Sequence, residues 1–142
     1  MKKIVSIIFA LSILFNCSTD DLKKCDKSVC DKCVIISKEL YNQSNTENYI
    51  IDNAIIVDDC LEIVISSSGC DGNSWKIELF DLAAISESNP IQRNLKIKLT
   101  NSEDCLAFIT KQISFDIKQL RTNDNQILLD LEKWEELILY SY

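Results

Sequence analysis

The sequence contains no histidine, only two glycines and one proline, and an aromatic content of 8%. The absence of histidine excludes catalysis by Ser-His-Asp or Cys-His groups, histidine metal ligands and histidine pH switches. Two glycines are too few for the glycine-rich loop that cradles phosphates in nucleotide-binding proteins. We therefore expect no catalytic residue, no resident metal and no cofactor.

The chain is also short and acidic. Its 142 residues correspond to a single domain, and its 22 acidic and 15 basic residues give a net charge of −7. A surface of this charge repels the phosphate backbone, so we predict no nucleic-acid partner.

The N-terminus has the pattern of a secretory signal. Two lysines follow Met1, and the apolar run over residues 4–15 is interrupted only by Ser6 and Ser12. A membrane-spanning helix needs about 20 apolar residues, so this run is too short to cross a bilayer. Its length is typical of the apolar core of a signal peptide, which we predict over residues 1–16.

The sequence Leu14-Phe15-Asn16-Cys17 follows this core. It resembles the lipobox of bacterial lipoproteins, although Phe15 and Asn16 replace the small residues usual there. The resemblance implies cleavage before Cys17, attachment of lipid such as palmitate to Cys17, and a membrane anchor in the cell envelope, at the outer membrane. Cleavage would remove two lysines and no acidic residue, which leaves 22 acidic and 13 basic residues and a charge of −9. The acidic stretch over residues 18–21 resembles a surface-export signal, and a solvated tether is the alternative.

Six further cysteines predict three disulfides in the oxidising space outside the cytoplasm. They are Cys25, Cys30, Cys33, Cys60, Cys70 and Cys105. Cys60 and Cys70 flank one predicted strand that extends about 23 Å, far beyond the Cα separation of about 6 Å in a disulfide. Cys70 and Cys105 both lie at predicted turns, where the ends of strands cluster, so we favour a Cys70–Cys105 bond, with Cys60–Cys105 as the alternative. Cys60 lies on the solvent-facing side of its predicted strand, as Glu62 does, so it could also bond to one of the N-terminal cysteines.

The spacing of Cys25, Cys30 and Cys33 leaves two other functions open, thiol-disulfide redox chemistry and metal binding. Asp26 and Asp31 lie beside these cysteines, and their negative charge opposes thiolate formation. We therefore favour structural disulfides for the cluster.

From residue 48 onward, apolar and polar residues alternate in short runs separated by polar turns. Alternation with a period of two predicts strands with one buried and one solvated face. These runs lie near residues 49–57, 61–67, 75–79, 95–99, 113–117, 127–131 and 137–139. We predict an all-β fold: an antiparallel β-sandwich, immunoglobulin-like or similar, of about seven strands over residues 48–142. The cysteine-rich arm, residues 17–47, is predicted to lie outside the sandwich, with a helix over 28–41 or a strand near 34–36.

Two places are candidates for ligand binding. The loop over residues 68–75 contains both glycines, which predicts that its backbone needs a positive φ at each of them. Asp71 and Asn73 could bind a ligand there, and the alternative is a disulfide-stapled turn that delivers Trp75 to the core. Trp134 lies among glutamates and could be either a stacking platform for a ligand or a lid on the core.

A short internal similarity relates residues 58–61 to residues 103–106, each of which would begin a strand. The similarity predicts that Leu61 and Leu106 both face the core. The acidic pairs in these two segments could share a Ca²⁺ ion if their turns lay together, although solvated turns are favoured.

The segments Gln92-Arg93-Asn94-Leu95 and Ser114-Phe115-Asp116-Ile117 resemble parts of small uncharacterised envelope lipoproteins, a resemblance that implies no activity. Together, these features predict a non-enzymatic, membrane-anchored envelope lipoprotein that acts as a binding or structural module. Its partner would be an envelope protein or a glycan.

Overall fold

The computed structural model of the chain describes residue 25, residues 28–46 and residues 48–142. Within them lie nine strands, one short α-helix and one 3-10 turn. The elements are β1 (Lys32–Cys33), β2 (Ile35–Ile36), α1 (Lys38–Gln43), β3 (Ile50–Val57), β4 (Cys60–Gly69), β5 (Lys76–Ser86), β6 (Gln92–Thr100), β7 (Ala107–Asp116), the 3-10 turn (Lys118–Leu120), β8 (Gln126–Leu131) and β9 (Ile138–Ser141).

The strands form two sheets, and the predicted all-β class is confirmed. One sheet has the order β1-β7-β4-β3 and the other β2-β5-β6-β8-β9. The expectation of purely antiparallel pairing is wrong, because β1 with β7, β2 with β5 and β6 with β8 are parallel pairs. After β6 the chain forms β7 in the opposite sheet, and this crossover lets β8 return alongside β6 in the same direction.

Alternating side chains of both sheets fill the space between them. Leu61, Ile63 and Ile65 of β4 are completely buried, as are Leu95 and Ile97 of β6. This is the burial that the period-two pattern predicts. The core therefore lies between two sheets, with the intervening residues of each strand on the outer faces.

The arm does not lie outside the sandwich as the sequence predicted. β1 pairs with the end of β7, β2 pairs with the middle of β5, and Val34 between them is only 2% exposed. The Lys32 ammonium donates to the Ile77 carbonyl at 2.7 Å, which links the two sheet edges. Apolar burial at Val34 and backbone pairing on both sides therefore make the arm part of the fold.

The helix predicted over residues 28–41 begins only at Lys38. The Ser37 hydroxyl caps it by accepting from the Leu40 N–H at 3.3 Å, and α1 ends at Gln43. The strand alternative near residues 34–36 corresponds to β2. Ser37 also donates its N–H to the Asp81 carbonyl at 3.0 Å, which holds the start of the helix against β5.

All six cysteines of the described residues form disulfides. The predicted Cys70–Cys105 bond is present, Cys60 bonds to Cys30 of the arm, and Cys25 bonds to Cys33. The Cys30–Cys60 bond attaches the arm to the first residue of β4, on the outward side of that strand. We call this end of the sandwich, with Cys33, Asp59 and Cys60, the arm end, and the opposite end, with Cys70, Glu103 and Cys105, the loop end.

Candidate interaction site at the loop end

The loop between β4 and β5 is organised around one carboxylate. Glu103 accepts from the backbone N–H of Cys70 at 2.6 Å and of Gly72 at 2.9 Å, and from the Ser74 hydroxyl at 2.9 Å. Longer bonds from the N–H groups of Asp71 and Ser74 complete the set. The N–H groups of Cys70, Asp71, Gly72 and Ser74 therefore find their hydrogen-bond acceptor within the chain. The Cys70–Cys105 bond joins this loop to the segment that contains Glu103.

These hydrogen bonds set the ionisation of Glu103. Desolvation acts to raise the pKa of this carboxyl, but the donors from Gly72, Ser74 and Cys70 together outweigh it and lower the pKa to about 2. Glu103 is therefore ionised at every ordinary pH and acts as a fixed internal anion.

The two glycines of the loop have different roles. Only Gly72 has a positive φ, of 67°, so the expectation that both glycines need this conformation is wrong. Gly69 ends β4, and a Cβ there would lie 2.6 Å from a Glu103 oxygen and 3.1 Å from the Trp75 indole nitrogen. A glycine is needed at position 69 because the Glu103 and Trp75 side chains leave no space for a Cβ, and not because of the backbone conformation.

Asp71 and Asn73, the predicted binding residues of this loop, bind each other. Both are exposed, and the Asp71 carboxylate accepts from the Asn73 N–H at 2.8 Å and from its side-chain amide at 2.7 Å. Trp75 follows with 9% exposure and belongs to the core. This is the arrangement of a stapled turn, and ligand binding by Asp71 and Asn73 stays a prediction.

Beside this loop, three large apolar side chains are exposed. Leu106 is 97% exposed, Phe108 67% and Ile50 49%. Ile50, Phe108 and Ser66 line a shallow depression of about 280 Å³. We call the surface formed by Leu106 and Phe108 the apolar tip. Contiguous exposed apolar surface is a feature of interaction sites, and the apolar tip is therefore a candidate for one.

The position of Leu106 corrects the predicted internal similarity. Leu61 is the second residue of β4 and is completely buried, whereas Leu106 precedes β7, which begins at Ala107. Along β7, residues an even number of positions from Leu106, such as Phe108 and Thr110, face outward. The two segments therefore differ in where the strand starts, and only one of the two leucines reaches the core.

Trp134 lies in the turn between β8 and β9, half-buried and packed against the core. With Ile51, Lys133 and two glutamates it lines a depression of about 270 Å³. The Lys133 ammonium lies 4.5 Å from the centre of the Tyr49 ring and also donates to the Tyr49 carbonyl. The partial burial of Trp134 is typical of a lid on the core, and a role in ligand stacking stays a prediction.

The arm end is closed by a polar network. Asp59 accepts from the Tyr140 hydroxyl at 2.6 Å and from Arg121, and Lys118 lies 3.4 Å away. Desolvation opposes ionisation of Asp59, but the Tyr140 hydrogen bond and the charges of Arg121 and Lys118 together lower its pKa. Asp59 and Glu103 lie at opposite ends of β4, so they do not share a Ca²⁺ ion.

The N-terminal cysteine cluster is divided between disulfides. Cys30 and Cys33 belong to different bonds, so the structure contains no Cys30–Cys33 disulfide. Within the described residues, no three His, Cys, Asp or Glu side chains are grouped to hold a metal ion. No helix in residues 28–46 or 48–142 has the length and apolar character to cross a membrane. Cys17 and the predicted signal peptide lie outside the described residues.

Comparisons with known proteins identify the fold only. No family model matches the chain, and the search of curated proteins finds no match. Among solved structures, a Bacteroides vulgatus protein of unknown function, DUF1344, matches 78% of this chain and 55% of its own length, with a TM-score of 0.52 and 13% identity. A Parabacteroides distasonis protein described as toxin-related matches 78% of this chain and 60% of its own, with a TM-score of 0.49 and 14% identity. This chain thus spans less than two thirds of either protein.

Sequence reasoning missed the apolar tip. The predicted strand began at Ile113, whereas β7 begins at Ala107. The available signal was the run Phe108-Ile109-Thr110, whose aromatic and β-branched residues favour a strand. The inward residue of this run, Ile109, packs against the core and also lies beside Gly72 of the loop over residues 70–74, a contact that alternation does not reveal.

Proposed function

We propose that the protein is a lipid-anchored envelope lipoprotein whose sandwich acts as a non-enzymatic interaction module. The observation that carries the proposal is the distribution of the seven cysteines. Six are paired within residues 25–105, and the seventh, Cys17, follows the apolar segment with a lipobox-like sequence. Three disulfides are typical of a protein exported to an oxidising space, and Cys17 is the residue left for lipid.

The side chains of the sandwich support an interaction role over catalysis. General acid–base catalysis at neutral pH most often uses histidine, which this chain lacks. Three carboxylates of the described residues have a lowered pKa, Asp31, Asp59 and Glu103, and each is held by hydrogen-bond donors of this chain. An exposed apolar surface at the loop end offers contact area to a partner, which is either a protein or a glycan of the envelope.

The anchor is tested by replacing Cys17. We expect the native protein to incorporate labelled palmitate and to sediment with the outer membrane. The variant Cys17→Ser should lose the label and accumulate as a precursor or in the membrane-free fraction. Cys30→Ser together with Cys60→Ser, which removes a staple but keeps Cys17, is the control that should keep the label. Equal membrane association of native protein and Cys17→Ser would contradict the anchor.

The second candidate function is thiol-disulfide exchange by the Cys25, Cys30 and Cys33 cluster. The exposure of Cys25, greater than that of Cys30, is the feature that favours it. Thiol titration of the unreduced native protein distinguishes the two functions. The interaction module predicts almost no free thiol after removal of the lipidated Cys17, whereas turnover of a disulfide substrate, lost in Cys33→Ser, would establish exchange.

A further inference from the structure

Strand β7 has an open side over most of its length. β4 pairs with β7 along its whole length, but β1 pairs on the other side only with Phe115 and Asp116. Within residues 28–46 and 48–142, no other strand pairs with that side. Val34 donates its N–H to the Asp116 carbonyl at 3.1 Å, which shows that the backbone of Asp116 points toward the open side.

The backbone groups of a strand alternate in direction, so residues an even number away from Asp116 point the same way. Phe108, Thr110 and Gln112 therefore direct their N–H and C=O groups toward the open side. The neighbouring residues direct theirs toward β4. These three residues form a row of strand donors and acceptors that another extended chain can use.

The arm occupies the end of this edge, and the occupied part stops at Ser114. β1 is an extended segment parallel to β7. Just before β1, the Asp31 carboxylate accepts from the Ser114 N–H at 2.8 Å and from the Ser114 hydroxyl at 2.7 Å. A side chain thus takes the place of the strand at Ser114, and the open edge covers residues 107–113.

We propose that the open edge of β7, residues 107–113, is a docking site for an extended segment of a partner protein, which binds as an additional β-strand. The exposed Phe108 and Leu106 lie next to this edge and would contact aliphatic side chains of that segment. Main-chain hydrogen bonds give such complexes affinity, and side-chain contacts give them specificity. The inference adds a partner class to the interaction module of the proposed function.

The edge is held in place before any partner binds. The loop over residues 70–74 covers the inner side of β7, where a Cβ on Gly72 would lie 3.3 Å from Ile109, and Lys111 donates to the Gly72 carbonyl. That loop is in turn fixed by Glu103 and by the Cys70–Cys105 bond. A prearranged edge loses little conformational entropy on binding.

Charge indicates a basic partner. Asp71, Glu103 and Asp104 place three negative charges in the segments next to the apolar tip, against the one positive charge of Lys111. The chain as a whole is acidic, with a net charge of −7. Lysine or arginine residues flanking the docking segment would therefore speed and orient its approach.

The location of the edge favours a protein over the membrane that holds the anchor. The chain enters the sandwich at the arm end, where Cys25 is bonded to Cys33 and Cys30 to Cys60. Ten residues of β7 separate that end from the loop end, a distance of about 30 Å at the usual rise per residue. The apolar tip thus lies at the end of the sandwich opposite the chain entry.

The test uses a defined probe. A synthetic peptide of seven alternating valines and threonines, flanked by two lysines on each side, is titrated into oxidised ¹⁵N-labelled protein of residues 17–142 carrying Cys17→Ser. We expect saturable shifts at the amides of Phe108, Thr110 and Gln112, with hydrogen exchange slowed at least tenfold at the same amides. The peptide with N-methyl groups on alternate residues should not bind, and a glutamate-flanked peptide should bind at least tenfold more weakly.

A matched pair of variants checks the edge. Thr110→Pro removes an outward N–H and keeps the bonds to β4, so it should abolish binding, whereas Thr110→Ser keeps the N–H and should bind normally. If Thr110→Pro fails to fold, Phe108→Ser should weaken binding at least tenfold at unchanged stability.

Absence of saturable binding at millimolar peptide, or shifts confined to β3, would overturn the proposal. Self-association of the protein through the same amides would identify a second copy as the occupant and also overturn it. Because the probe experiment needs no lipid, its failure is distinguishable from failure of the anchor.

Discussion

The two ends of the sandwich are stapled by disulfides of similar loop length but different burial. Cys30 and Cys60 at the arm end are 3% and 6% exposed, whereas Cys70 and Cys105 at the loop end are exposed. The sequence separations are 30 and 35 residues, so loop entropy assigns each bond about 4 kcal/mol. The difference between the ends therefore arises from what packs around each bond.

At the arm end, segments distant in sequence meet. Arg121 binds both Asp59 and the Tyr140 hydroxyl, and the arm adds its own strand to each sheet. At the loop end, the loop over residues 70–74 contacts residues 101–105. Within residues 28–46 and 48–142, no strand pairs with the edge of β7 that faces away from β4 over residues 107–113. A closed arm end and an open, rigid surface at the loop end are compatible with the proposed module, which would be anchored at the arm end and bind a partner at the loop end.

The largest expected effect is the loss of free energy of unfolding when each of these two disulfides is removed. Cys30→Ala with Cys60→Ala should lower the free energy of unfolding by about 5 kcal/mol, from loop entropy plus lost burial. Cys70→Ala with Cys105→Ala should cost about 4 kcal/mol, because these cysteines bury little surface. Urea unfolding of the oxidised variants measures both values. A larger loss at the loop end would contradict the assignment of the arm as part of the core.

The next effect concerns a buried ion pair near the arm end. Arg93 binds Asp81 through two hydrogen bonds of 2.9 and 2.6 Å, and Asp81 is completely buried. Asp81→Asn leaves the guanidinium buried without its counter-charge and should destabilise the fold by about 3 kcal/mol. Glu78→Gln on the same strand breaks the pair with Lys76, whose ammonium is solvent-exposed, and should cost less than about 1 kcal/mol. Equal effects in thermal unfolding would contradict this difference in burial.

A smaller, pH-dependent effect should be confined to the loop end. The pKa of Glu103 falls from its ordinary 4.5 to about 2 in the fold, so its ionised form adds stability above pH 4.5 that is lost as the pH falls toward 2. Glu103→Gln should therefore be less stable than the native protein at pH 7, with a gap that narrows between pH 4.5 and 2. Glu136→Gln, an exposed carboxylate, is the control. A gap independent of pH in urea unfolding would show that charge is not the cause.

The smallest expected effect is on the stability of the apolar tip itself. Leu106→Ser and Phe108→Ser remove exposed side chains and should change the free energy of unfolding by less than about 0.5 kcal/mol. Leu61→Ala, at the related but buried position, should cost about 2–5 kcal/mol. A large loss in either serine variant would place these residues in the core and remove the tip as an interaction surface.

The sequence was sufficient for the all-β class, and it favoured the Cys70–Cys105 bond while leaving Cys60–Cys105 open. Period-two alternation located the buried faces of β4 and β6, and the extent of the strand after Cys60 excluded a bond to Cys70. It was not sufficient for the sheet partners, because parallel pairing of β6 with β8 depends on contacts across the sandwich. The arm was misplaced for a related reason: two-residue strands carry no periodicity, and the burial of Val34 depends on both sheets.

The candidate site was predicted only in part. The loop of residues 68–75 was singled out by its glycines, but the role of Glu103 depends on a contact across about thirty residues that no local pattern contains. Leu106 was placed in the core by its similarity to Leu61, but it precedes β7 and is 97% exposed. Whether Cys17 carries lipid stays a prediction.

Disulfide mapping of the unreduced protein purified from membranes decides whether the arm is stapled to the sandwich. Proteolysis and mass spectrometry should yield peptides joining Cys25 to Cys33, Cys30 to Cys60, and Cys70 to Cys105, with Cys17 modified by lipid. A peptide containing a Cys30–Cys33 bond with Cys60 free would contradict this pairing, because it would separate the arm from β4 and restore a redox-type cysteine pair.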